Sequence, residues 1–101
     1  MTTNSVTSKH AVIGLTKTTA LEFAEHGIRV NAVAPAVIET QMFDRAADYN
    51  ADLIEFARTL HPMKRFGEPE EVAEAVLWLA SPDNSFTTGI TLPIDGGYTA
   101  Q

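Results

Sequence analysis

The chain has 101 residues, enough for one small domain with an adequate core, and 45% hydrophobic against 20% charged residues is an ordinary globular balance rather than a disordered one. Thirteen acidic residues against seven Lys and Arg give a net charge of -6, which works against nucleic acid or an anionic membrane as partner. There is no cysteine, so thiol nucleophiles, disulfides and thiolate zinc sites are excluded; with no basic leader or apolar run of spanning length, the expected setting is cytoplasmic.

Residues 5 to 26 are helix-compatible and Gly27 is their expected stop. Apolar residues such as Val6, Val12, Leu15, Leu21 and Phe23 wrap this helix on several sides, so it wants more than one neighbour. In "IRVNAVAP", Ile28, Val30, Ala32 and Ala34 alternate and Pro35 closes the run, which predicts a strand. Residues 36 to 66 predict one or two short helices with Met42, Phe43, Leu53, Ile54, Phe56 and Leu60 as apolar contacts. Next, "GEPEEVAEAVLWLASP" predicts a helix opened by Pro69, favoured by Glu70 and Glu71, and stopped at Ser81-Pro82. Its expected apolar stripe is Val72, Ala73, Val76, Leu77 and Ala80. In "GITLPIDGG", Ile90, Leu92 and Ile94 alternate, and Pro93 places the strand at a sheet edge. Strands separated by a helical crossover imply parallel pairing in an α/β fold.

Four stretches, "TSKHAVIGLTK", "GIRVNAVAPAVIET", "RFGEPEEVAEAVLWLAS" and "TGITLPIDGG", together resemble the C-terminal part of the short-chain dehydrogenase/reductase family. The resemblance implies the last third of a Rossmann-type, doubly wound parallel sheet: one partial domain over 1–101, with about two strands and three to four helices. It also implies NAD or NADP as cofactor and hydride transfer on an alcohol or carbonyl as the reaction.

In that family a Tyr lies four residues before a Lys on one helix. Positions i and i+4 share a helix face, so the ammonium lowers the phenol pKa from about 10 toward the working pH. Here the Lys is Lys9, implied also to hold the nicotinamide ribose, and Ser5 occupies the Tyr position. A serine hydroxyl is far less acidic and reaches less far, so proton transfer is not expected of it. The family's Pro-Gly, aliphatic and Thr contacts to the nicotinamide carboxamide correspond to Pro35, Ala36, Ile38 and Thr40, and Met42 and Phe43 in the variable lid would meet substrate first. Glycines 14, 27, 67, 89, 96 and 97 form no G-x-G-x-x-G cluster, so the pyrophosphate has no cradle here.

The expectation is therefore an oxidoreductase portion that is inactive by itself. The alternatives are an interaction module, forming a homo-oligomer or binding a full-length relative, and the product of a truncated reading frame. His10, His26 and His61 are too dispersed for a metal site, Trp78 reads as core or interface, and Tyr98 as packing near the chain end.

Overall fold

The computed structural model describes residues 3–36, 38 and 50–101. Among these, helix α1 (Thr3–Phe23) tightens into a 3₁₀ turn at Ala24–His26, and Gly27, with φ 72°, ends it in the left-handed conformation. Then come β1 (Ala32–Pro35), α2 (Ala51–Thr59), α3 (Pro69–Ala80), β2 (Thr91–Ile94) and a 3₁₀ turn at Tyr98–Ala100. The expected α/β class is realised with three helices and one two-stranded parallel sheet.

The strands are shorter than the alternating patterns suggested. Residues 28–31 stay outside β1 because side chains take up part of the bonding there. The Val30 N–H donates to Thr88 Oγ1, while the Asn31 amide donates to the Thr87 carbonyl and accepts from the Ile90 N–H. Backbone bonds run from the Gly89 N–H to the Val30 carbonyl, from the Ala32 N–H to the Ile90 carbonyl and from the Ala36 N–H to the Ile94 carbonyl. Even-numbered residues of both strands thus face the partner strand. Pro35 and Pro93, at odd positions, leave their missing N–H groups on the outer edges, where no ladder bond is lost.

The chain divides into two compact units. The first (Met1–Val33 and Leu77–Leu92) is centred on Ala20, only 1% exposed, and buries Thr16 and Leu79 as well. Gly89, with φ 80°, lies close enough that an added Cβ would stand 3.4 Å from the Ala20 Cβ. The Arg29 guanidinium ties the unit together, donating to the carbonyls of Leu79 (2.7 Å), Ser81 (3.1 Å) and Thr87 (3.2 Å). These acceptors include the unsatisfied end of α3, so Arg29 serves as its C-terminal cap.

The second unit (Ala34–Val76 and Pro93–Gln101) is centred on Phe66 and His61. Asn50 caps α2 by accepting the Leu53 N–H. At the start of α3, Pro69 takes the first helical position and the Glu71 side chain accepts the Glu68 N–H, which is the reciprocal half of a capping box. The start of this helix follows the sequence reading closely, but its inward face does not. Ala73, Val76, Leu77 and Ala80 are exposed, and the covered positions are Val72, Ala75 and Leu79, at i, i+3 and i+7. Trp78 is likewise half exposed, and on α2 Leu53 and Phe56 are exposed rather than apolar contacts.

Candidate functional site

The candidate residues separate by unit. Lys9 and Ser5 lie four residues apart on the exposed N-terminal half of α1, in unbroken helix, so the register that puts both on one face is present. Pro35, Ala36 and Ile38 lie in the second unit, where β1 ends; Ile38 forms a parallel bridge with Gly67. Thr40, Met42 and Phe43 lie outside the described residues.

Ala36 stands where the resembled family has glycine, and the substitution is tolerated locally. Lys64, with φ 59°, is the one non-glycine residue at positive φ among those described, so Ala36 adopts backbone geometry open to any residue. The backbone at Ala36 therefore needs no glycine. Nothing in the 101 residues supplies a glycine-rich turn for the pyrophosphate.

Where β1 and β2 end, the second unit forms an open-mouthed cavity of about 300 Å³. It is lined by Ala36, by residues of the stretches 61–67 and 93–97, His61, Met63 and Asp95 among them, and by Glu71. The ends of parallel strands are the usual place for a ligand crevice in α/β proteins. Two glycines shape one wall: Gly96 and Gly97 take φ 57° and 93°, and a Cβ on Gly97 would meet the Pro62 ring at 3.2 Å.

Most charged groups here are already committed. Arg65 grips Glu71 through two bonds of 2.8 and 3.0 Å, and Glu71 also accepts the Glu68 N–H. The Arg65 guanidinium, and then the Glu68 N–H, hold the Glu71 carboxyl down at about 2. The Asp95 carboxylate accepts from the Thr99 hydroxyl (2.6 Å), the Thr99 N–H and the Gly97 N–H; the Thr99 hydroxyl leads in holding it below the usual carboxylate range. His61, 5% exposed, has Nδ1 3.1 Å from the Ala57 carbonyl and is flanked by the rings of Phe66 (5.7 Å) and Tyr98 (5.8 Å).

Sequence reasoning missed this cavity. "RFGEPEE" and "PIDGG" read correctly as a helix start and a strand end, yet nothing local says that they meet around His61. Tyr98 does pack near the chain end, against that histidine. Among the described residues, no cluster of three or more His, Asp or Glu could hold a metal ion. Nor is any helix among them long and apolar enough to cross a membrane.

Residues 2–99 match the family described as enoyl-(acyl carrier protein) reductase. Similar curated proteins include short-chain dehydrogenase anuF of Penicillium roqueforti, 50% identical over 95 residues, which are 94% of this chain and 34% of that protein. The 2,5-dichloro-2,5-cyclohexadiene-1,4-diol dehydrogenase of Sphingobium indicum is 48% identical, over 94% of this chain and 38% of its own. Among solved structures, ElxO with NADP bound superposes with a TM-score of 0.88 at 45% identity, covering 94% of this chain and 38% of that one. The chain thus spans little more than a third of the length of these relatives.

Proposed function

The chain belongs to the short-chain dehydrogenase/reductase family, and on that premise we propose that residues 1–101 form one partial domain, the nicotinamide-end portion of an NAD(P)(H)-dependent oxidoreductase acting on small alcohols or carbonyls. When bound, the dinucleotide supplies or accepts the hydride. This chain's own contribution is Lys9 toward the ribose hydroxyls and, separately, Pro35, Ala36, Ile38 and Thr40 toward the carboxamide. Met42 and Phe43 are assigned to the substrate. We place the portion in the cytoplasm, the setting that its cysteine-free composition fits.

The portion is inactive by itself, and the observation that carries this is Ser5. It sits one helical turn before Lys9 on α1, where a phenol is needed to hold and deliver the proton. Purified chain given NADH or NADPH and a panel of ketones and aldehydes is expected to show no substrate-dependent oxidation. Saturable turnover that disappears in Lys9→Ala would overturn the reading.

A second reading, as an association module, is favoured by α1. Of its 21 residues only Thr16 and Ala20 are buried, while Leu15 and Leu21 are 68% and 81% exposed. Apolar surface of that kind drives self-association or capture of a full-length relative. Light scattering on the purified chain is expected to give a mass of at least a dimer at micromolar concentration, and a clean monomer would exclude the reading.

A further inference from the structure

We propose that the cavity of the second unit is a binding site for a small, flat, neutral molecule with one N–H or O–H donor, recognised by His61. The site is built on His61 rather than on Lys9, and it shares only Ala36 with the residues assigned to the dinucleotide.

The tautomer of His61 follows from its partner. The Ala57 carbonyl can only accept, so Nδ1 carries the hydrogen that spans the 3.1 Å between them. In the neutral ring that leaves Nε2 as a hydrogen-bond acceptor. No protein group among the described residues bonds to it, and the rings of Phe66, at 77°, and Tyr98, at 43°, both pack against the imidazole. His61 lines the cavity and is 5% exposed, so a ligand there would meet only a small part of the ring.

The rest of the lining defines the ligand by what it withholds. Arg65 and Glu71 offset each other's charge. The Asp95 oxygens are occupied by the Thr99 and Gly97 donors, which are neutral, so its negative charge remains and repels an anion. Met63, Phe66 and Ile94 supply apolar wall, and a thioether and a phenyl ring both make favourable contacts with a flat aromatic body. At about 30 Å³ per water-sized group, the volume takes about ten non-hydrogen atoms.

The test uses the full 101-residue chain with ¹³C-methyl methionine and ¹⁵N histidine, titrated at mildly alkaline pH with phenol, fluorobenzene, benzoate and benzylammonium. Phenol is expected to bind saturably, moving the Met63 methyl and the His61 Nε2 resonances together. Fluorobenzene, of similar shape but without a donor, should bind about tenfold more weakly, and benzoate more weakly still. His61→Phe keeps an aromatic ring between its neighbours and should bring phenol down to the level of fluorobenzene. Should that variant fail to fold, the Nε2 shift in the unaltered chain decides the matter. The proposal is overturned by any of three outcomes: no saturable Met63 shift with phenol, equal binding of phenol and fluorobenzene, or tightest binding of benzylammonium, which would mean that the acidic residues select the ligand.

Discussion

Ser5→Tyr is expected to raise turnover by about 10²- to 10⁴-fold when residues 1–101 replace the matching C-terminal part of the NADP-binding protein ElxO. That range is what a positioned general acid or base contributes to a proton-coupled step. The structure gives three reasons why the substitution should act on chemistry rather than on folding. Position 5 is exposed, so the larger side chain has solvent to extend into. Helix α1 is continuous from Thr3 to Phe23, so the new phenol and the Lys9 ammonium keep the i, i+4 register. Under the proposed assignment, Lys9 then lowers the pKa of the new phenol, an effect of little use to a serine hydroxyl. Adding Lys9→Met to Ser5→Tyr should remove most of the gain, seen mainly in kcat and in an alkaline shift of the pH–rate profile. If the chimera carrying Ser5 works within about threefold of the Ser5→Tyr chimera, some other group moves the proton and the assignment of position 5 fails.

What could be read from residues alone was what depends on near neighbours. Helix α3 begins at Pro69 as expected because its start is written in consecutive residues: a proline at the first position and Glu71 folding back on the Glu68 N–H. Gly27 stops α1 for the equally local reason that it adopts φ 72°. The beginning of β1 is not legible because alternation cannot tell a regular ladder from one mixed with side-chain bonds: the Val30 carbonyl still pairs with the Gly89 N–H, but its own N–H goes to Thr88 and the Asn31 side chain bonds Thr87 and Ile90. The covered face of α3 turned out to carry Val72, Ala75 and Leu79 because a helix with apolar residues on several sides does not declare which side is inward. The cavity around His61 was invisible for a related reason. Its walls come from the end of β1, the stretch after α2 and the end of β2, and no sequence period links those three places.

Arg29 carries the second large effect, and it falls on stability. Arg29→Met keeps much of the apolar stem but removes all three carbonyl contacts, and it is expected to cost about 2 to 3 kcal/mol. Each bond from a cationic donor contributes roughly 1 kcal/mol or more net, and the acceptors are partly covered, so water replaces the guanidinium only in part. The loss is concentrated where it matters. Leu79 is one of the few buried apolar residues of its unit, and its carbonyl at the end of α3 receives the shortest of the three bonds. For a chain of this size that should lower the thermal midpoint by about 10 to 20 °C. Arg29→Lys should recover less than half, because an ammonium is a point donor and cannot span the Leu79, Ser81 and Thr87 carbonyls as a planar fork does. Urea unfolding followed by Trp78 fluorescence checks both variants, since Trp78 sits on α3 beside the carbonyl that Arg29 caps. A shift of less than about 1 kcal/mol for Arg29→Met, at unchanged denaturant slope, would show that α3 is held at its end by other means.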